Sequence, residues 1–425
     1  MIMQIAPSRL SGRICAPPSK SLAHRAVICA GLSEGTSVIS NLSLSEDIEA
    51  SIDAMRQLGA QIGLEMDSGG GYTATVSGGR APQDIRIDCG ESGSTLRFLL
   101  PLTLAVSNGA LFEGRGRLGQ RPMDVYRDLL VSQGITWEAQ SGGLPLTVAG
   151  RLFPGKYMIP GNVSSQFVTG LLIALPLLGG GSALKVTGTL ESRPYVDLTL
   201  DILKKHGIKF RQAEPGLFSV PGMQRYKPCG YRIEGDWSQA AFLIAFGALG
   251  DGVEITGLDP ASAQGDRRIL EIYSRMGGDY TWRGAELVIN HLELFGTRID
   301  LSDCPDLAPP VAALCAAAGG RSVLSGIGRL RLKESDRIES IMACIRAVGG
   351  TVGMEDECMV ITGGGLTGGA VDASGDHRIA MMAAALSPAC ESQVVVKGAE
   401  AVGKSWPRFW DDFRSLGGKA NEQLG

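Results

Sequence analysis

Six apolar helical stretches recur along this chain at an almost constant spacing, which limits the folds open to it. They begin near Lys20 (SKSLAHRAVICAGL), Ser92 (SGSTLRFLLPLTLAV), Ser164 (SSQFVTGLLIALPLL), Asp236 (DWSQAAFLIAFGAL), Asp306 (DLAPPVAALCAAAG) and Asp376 (DHRIAMMAAAL), in steps of 72, 72, 72, 70 and 70 residues. A fixed period of that length marks a repeated supersecondary unit. A second helix series starts near Ser45, Arg121, Arg193, Asp266, Ser335 and Ser405. Its members stop at Gly59, Gly134, Gly207, Gly277, Gly349 and Gly417, because a glycine just past a helix supplies the left-handed residue that closes it. Short apolar runs between the two series, such as 183–186 and 394–396, read as strands. After most stops an alternating segment, a turn and another strand follow, as in 60–76 and 350–361. Each unit is therefore strand–helix–strand–helix–strand–strand, and six βαβαββ copies make an α/β (α+β) chain. The last copy is expected to lack its terminal strands, with Met3-Gln4-Ile5 wrapping back to supply one.

The punctuation explains an odd composition. Of 425 residues 59 are glycine, about twice the usual share, yet 44% are apolar and no low-complexity tract accounts for the excess. A disordered linker or a collagen period is excluded. The net charge is −4 with no run of five like charges, which argues against a general nucleic-acid or membrane-surface binder. Nine scattered cysteines without a C-x-x-C pair read as reduced, mostly buried thiols in a cytoplasmic protein. Four histidines make a His-rich metal site unexpected. The N-terminus carries no evident signal peptide. The uncharged stretch 157–184 is broken by Pro176 and Gly179-Gly180-Gly181, so it reads as a buried helix and turn, not a span.

Charge at the helix starts runs against expectation. A helix N-terminus is partly positive and favours acids or anions, yet Lys20 opens the first helix, with Arg25 one turn beyond its neighbour Ser21. Arg121 precedes Pro122, Arg337 follows the expected cap Ser335, His377 and Arg378 follow the expected cap Asp376, and Lys404 precedes Ser405. Lys333 and Arg337 are spaced i,i+4, a like-charge pair if both lie on one helix face. Cations at equivalent places in a repeat suit a bound anion, on which helix N–H groups and side chains converge. Ser21, Ser92, Ser94, Ser164, Ser165 and Gln166 add hydroxyl and amide groups at the same starts, and Gly93 would admit close approach to the backbone. Asp306, which could also cap its helix, and Glu334, within reach of Arg337, are two carboxylates among these cations, the equipment of proton transfer.

The motifs P-S-K-S-L-x-H-R at 18–25, S-G-S-T-L-R at 92–97, R-P at 121–122, S-S-Q-F at 164–167, S-R-P-Y at 192–195, K-E-S-D-R at 333–337, D-H-R at 376–378 and G-K-S-W-P at 403–407 resemble the EPSP synthase (3-phosphoshikimate 1-carboxyvinyltransferase) family of enolpyruvyl transferases, in order and over the full length. The resemblance implies a two-lobed enolpyruvyl transferase fold with three repeats per lobe, closing over its ligands. Residues 1–18 with 236–425 would form one lobe and 19–235 the other, the chain crossing near Ser19 and Gly235. It implies transfer of the enolpyruvyl group of phosphoenolpyruvate to the 5-hydroxyl of shikimate 3-phosphate, with release of phosphate, in the shikimate pathway of aromatic amino-acid biosynthesis. No metal or cofactor, nucleic acid or membrane is implied, and the chain is expected to act as a monomer in the cytoplasm.

By position, Lys20, Ser21, Arg25, Ser164, Ser165, Gln166, Ser192, Asp306 and Lys333 would bind shikimate 3-phosphate. Lys20, Gly93, Arg121, Gln166, Arg337, Arg378 and Lys404 would hold phosphoenolpyruvate. Asp306 would take the proton of the attacking hydroxyl, and Glu334 with Lys20 would handle the proton at the methylene carbon. Two positions depart from the family's usual pattern: Glu91-Ser92 where many members carry Asn-Ala, and Arg329 where several carry Asn. A UDP-N-acetylglucosamine enolpyruvyl transferase stays open as an alternative, though it would not need the 164–166 and 333–334 groups. An RNA-cyclase-like or non-catalytic repeat protein is a further alternative, disfavoured by acidity, few histidines and the cations at the helix starts.

Overall fold

All six glycines at the expected helix stops adopt the left-handed backbone: φ is 92° at Gly59, 81° at Gly134, 76° at Gly207, 91° at Gly277, 87° at Gly349 and 90° at Gly417. A side chain is disfavoured at such angles, so the second helix of each of the six repeats ends in the same way for the same steric reason. The computed structural model describes residues 1–140 and 143–423; residues 141–142, inside one expected lobe, and 424–425, at the end of the other, lie outside the described residues.

The helices are α1 (Lys20–Gly31), α2 (Glu46–Gln57), α3 (Gly93–Val106), α4 (Asp124–Val131), α5 (Ser165–Ala174), α6 (Arg193–Lys205), α7 (Trp237–Leu249), α8 (Ile269–Arg275), α9 (Ala308–Ala317), α10 (Arg337–Ala347), α11 (His377–Leu386) and α12 (Phe409–Ser415). The odd-numbered helices are apolar nearly all round and therefore buried; every residue of α7 but its last is inaccessible. The even-numbered ones are two-faced. On α2, Ile48, Ile52 and Met55 point inward while Glu46, Asp53 and Arg56 remain at the surface.

Six four-stranded sheets accompany them. In the fifth copy Arg298–Asp300 runs parallel to Arg321–Ser325, which pairs antiparallel with Cys358–Thr362, itself antiparallel to Thr351–Glu355. All six sheets repeat this first–second–fourth–third order. Two copies exchange their first strands. Gly12–Cys15 precedes α1 but pairs with Val253–Thr256 of the fourth copy, and Gly230–Arg232 precedes α7 but pairs with Thr36–Leu42 of the first. The sixth copy does not lack both terminal strands: Lys419–Glu422 is present, and Ile2–Ala6 lies between it and Val394–Lys397. The chain thus divides into two compact units, Met1–Pro17 with Glu234–Gly425, and Pro18–Ile233, each with its own apolar core.

Several helix starts fall later than the spacing predicts. Arg121 follows a 3-10 turn, Leu118–Gln120, and is extended (φ −75°, ψ 139°), because a residue before proline avoids the helical region; α4 starts at Asp124. Asp306 lies in a 3-10 turn, Pro305–Leu307, and caps no helix. Ser335 is not the cap of α10: Asp336 accepts from Glu339 N. The segment Ala399–Lys404 is 3-10, and Pro407 delays α12 to Phe409. Among the described residues no helix is long and apolar enough to cross a membrane.

Candidate active site

In the unit Pro18–Ile233 the starts of α1, α3 and α5 carry the expected residues. Lys20, first residue of α1, reaches across to α2, its Nζ 2.6 Å from Oδ2 of Asp47. Ser21 offers its carbonyl to Arg25 Nη1 at 2.6 Å. Arg25 is buried under the Phe98 ring, 5.1 Å from its centroid. It also donates to Thr199 Oγ1 (2.8 Å), Tyr195 O (3.0 Å) and Thr169 Oγ1 (3.4 Å). Burial lowers its pKa to about 10, against the opposing influence of Tyr195. Arg25 therefore ties α1 to α5 and α6, one Nη1 hydrogen remaining for anything else.

At the start of α3, Ser92 is the N-cap and accepts from Thr95 N at 3.1 Å. Ser92, one of the two expected departures, thus serves as a helix cap. Its neighbour Glu91 lies over Gly116, and Arg329 donates to Ser302 O at 2.5 Å. The Arg121 guanidinium packs on Gly93. At α5, Ser164 is the N-cap for Gln166 N (3.3 Å) and Ser165 begins the helix. Both ends of the Gln166 amide are held: Nε2 donates to Ser94 Oγ at 2.9 Å and Oε1 accepts from Arg97 Nη1 at 2.8 Å. Ser192, buried before α6, sits at φ 55°, ψ 37°, a left-handed conformation uncommon outside glycine and often found at functional sites.

In the unit Met1–Pro17 with Glu234–Gly425 the charges converge on Asp306. Its Oδ1 accepts from Lys333 Nζ and from Arg337 Nη1, both at 3.1 Å, and its Oδ2 lies 3.3 Å from Arg378 Nη2. Burial alone would raise this carboxyl, but Arg378, Lys333 and Arg337 hold it well below the ordinary carboxylate range. Lys333 stands before α10, so it and Arg337 are not a like-charge pair on one helix face; they share Asp306. Arg337, inaccessible, also donates to Glu334 and to Asp376, with Nε 2.9 Å from Asp376 Oδ2. Burial opposes its charge, yet Asp376, Glu334 and Asp306 outweigh that and raise its pKa above the usual value. Asp376 caps α11 through Arg378 N at 3.0 Å. Lys404 Nζ reaches Gly375 O at 3.5 Å, and Ser405 beside it accepts from Gln239 Nε2 at 3.0 Å.

Four residues of these clusters escaped sequence reading. Asp47 belongs to an acidic first turn, Glu46-Asp47-Glu49, that reads as ordinary complement to a helix dipole. Arg97 did carry a signal, as the lone charge in the apolar stretch 92–106. Asp376 was legible as a cap but not as the partner of Arg337. Asp266, a buried carboxyl accepting from Ser238 Oγ, had none. Burial, then the nearby charge of Asp306, raises it to about 6.

Each unit thus presents cations and hydroxyls at helix starts, and one adds a carboxylate fully engaged by cations. Such sites bind polyanions and move protons. Among the described residues no group of three or more His, Cys, Asp and Glu side chains comes together to hold a metal ion. A family model described as EPSP synthase (3-phosphoshikimate 1-carboxyvinyltransferase) matches residues 5–413. A Clostridium kluyveri protein named 3-phosphoshikimate 1-carboxyvinyltransferase is 44% identical over 99% of this chain and 98% of its own length. One of the same name from Clostridium perfringens is 42% identical over 99% of both. The fold is similar to that of EPSP synthase from Acinetobacter baumannii, with a TM-score of 0.81, 23% identity, and coverage of 99% of this chain and 100% of that one.

Proposed function

The chain belongs to the EPSP synthase family, and on that premise we propose how its own residues divide the reaction. The enzyme transfers the enolpyruvyl group of phosphoenolpyruvate to the 5-hydroxyl of shikimate 3-phosphate and releases phosphate. The two compact units are taken as the family's two three-repeat lobes.

Shikimate 3-phosphate is assigned to Lys20, Ser21, Arg25, Ser164, Ser165, Gln166, Ser192, Asp306 and Lys333, with Arg25 contributing its remaining N–H. Phosphoenolpyruvate is assigned to Lys20, Gly93, Arg121, Gln166, Arg337, Arg378 and Lys404. In the addition step the 5-hydroxyl oxygen bonds to C2 of phosphoenolpyruvate and passes its proton to Asp306, while C3 gains a proton from Glu334 or Lys20. The tetrahedral intermediate then breaks its C2–O bond to phosphate, the departing phosphate taking the proton held on Asp306, while the group that protonated C3 takes a proton back from it and the double bond is restored. No net proton is consumed by those groups over the cycle.

The observation that carries this reading is Asp306 held by Lys333, Arg337 and Arg378. These three cations suppress its basicity. Two polyanionic substrates would engage the same cations, and Asp306 would recover proton affinity when the hydroxyl arrives. Fixed charges of this kind also stabilise the developing charge of the intermediate. The test is phosphate release with phosphoenolpyruvate plus shikimate 3-phosphate, run beside phosphoenolpyruvate plus UDP-N-acetylglucosamine. Release is expected with the first pair only; none with that pair would sink the assignment. The same reading makes the enzyme a cytoplasmic monomer, which sedimentation at micromolar concentration and cell fractionation check.

A further inference from the structure

Two rungs join α1 to α2. Lys20 meets Asp47, and four residues on along each helix His24 meets Ser51, with Nδ1 2.7 Å from Oγ. Residues four apart share one helix face, so the rungs lie one turn apart, the outer charged and the inner wholly buried. The inner rung continues. Ser51 Oγ is 2.7 Å from Thr95 Oγ1, and Thr95 Oγ1 donates to Ser92 Oγ at 2.8 Å. A buried chain of hydrogen bonds thus runs from α1 through α2 to the cap of α3.

Its polarity follows from the number of protons. A hydroxyl has one to give. Thr95 gives its proton to Ser92, so Ser51 must give its own to Thr95, and His24 must supply an N–H from Nδ1. The imidazole is then the Nδ1–H tautomer. Its bare Nε2 has no hydrogen-bond partner and is sealed from solvent, with the Phe98 ring set edge-on at 6.4 Å between centroids. An unpartnered lone pair in that position is tolerable, whereas an N–H would be left wanting an acceptor. Burial pushes the His24 pKa down to about 3, so the ring stays neutral over the working pH range.

We propose that His24 is a positioning residue for the phosphoenolpyruvate end of the site: through Ser51 and Thr95 it fixes the Ser92 cap, and with it the first turn of α3 that carries Gly93 and Ser94. The inference rests on the assignment of Gly93 and Arg121 to phosphoenolpyruvate. Neither His24 nor Ser51 touches substrate. Loss of the relay lets the α3 start shift relative to Lys20, and a shift of about 1 Å is enough to cost catalysis heavily.

The experiment compares wild type, Thr95→Val, His24→Leu and His24→Asn, with each substrate varied separately. Valine matches threonine in shape and breaks the relay. Asparagine can place an N–H near the position of Nδ1, and leucine cannot. Expected are a rise of about fivefold or more in KM for phosphoenolpyruvate in Thr95→Val and His24→Leu, KM for shikimate 3-phosphate within twofold of wild type, and substantial recovery in His24→Asn. The effect should be equal at pH 6 and pH 9, since His24 does not titrate there. Equal changes in both KM values, no change, or His24→Asn behaving like His24→Leu would overturn the relay. Should Thr95→Val not fold, Ser51→Ala breaks the chain from α2 and is read in the same way. No turnover by the wild type would overturn the reading of the site, and the relay with it; an active wild type with an unmoved KM ratio would overturn the relay alone.

Discussion

The guanidinium of Arg121 lies so close to Gly93 that a methyl group added there would stand 2.6 Å from Nη1 and 2.9 Å from Cζ. The backbone does not demand glycine, since Gly93 is outside the left-handed region. The neighbour demands it. What the methyl meets is the far end of a flexible side chain, so in Gly93→Ala the arginine yields and α3 stays in place. The variant should melt at or slightly above the wild-type temperature, because alanine suits a helical residue better than glycine. A displaced Arg121 should raise KM for phosphoenolpyruvate about tenfold or more, with KM for shikimate 3-phosphate unchanged. Wild-type values for both would remove Arg121 from the phosphoenolpyruvate site.

Asp306→Asn preserves shape and removes charge. Lys333, Arg337 and Arg378 then face one acceptor fewer, so anionic substrates should bind at least as tightly by calorimetry. Turnover should fall about 10²–10⁴-fold, the usual worth of a positioned proton acceptor. Turnover near the wild-type rate would show that Asp306 is not the base.

The repeat was legible in sequence because its two determinants are local: an apolar stretch long enough to be a buried helix and a glycine in the left-handed region. The strand exchange between the first and fourth copies was not. Gly12–Cys15 and Gly230–Arg232 are short and similar in character, and which sheet each joins depends on packing many residues away. The site divides in the same way. Lys20, Arg121, Arg337, Arg378 and Lys404 stood out because cations oppose a helix dipole. Asp47 and Asp266 did not, because an acid near a helix start is what the dipole favours. Where proline follows the expected start, as Pro122 follows Arg121 and Pro407 lies two residues past Ser405, spacing alone misplaced the helix start by several residues.

Arg337 is held on three sides, by Asp306, Glu334 and Asp376. Arg337→Lys keeps the charge but not the planar fork, and one ammonium cannot reach all three. With Asp376 inaccessible, a weakened partner leaves a buried carboxylate short of compensation. Denaturant unfolding should show a loss of about 3–5 kcal/mol, the usual cost of breaking a buried ion pair, together with lost activity. A loss below about 1 kcal/mol would mean that Asp376 finds its compensation elsewhere.

Asp266 gives the enzyme a pH-dependent stability of the opposite sign to that of Asp306. The folded-state pKa of Asp306 is depressed, so its contribution is complete above the unfolded value near 3.8 and fades only as pH falls toward the folded one. The folded-state pKa of Asp266 is raised from 3.8 to about 6. Between those values the folded protein keeps a proton that the unfolded chain has released, so stability falls as pH rises through the window and stays lower above it. About two pKa units correspond to on the order of 2–3 kcal/mol. Asp266→Asn keeps an acceptor for Ser238 and cannot ionise. It should match the wild type near pH 4 and exceed it by up to that amount at pH 7, as measured by urea unfolding at both pH values. A constant difference between the two proteins from pH 4 to pH 7 would show that Asp266 titrates like an exposed carboxyl.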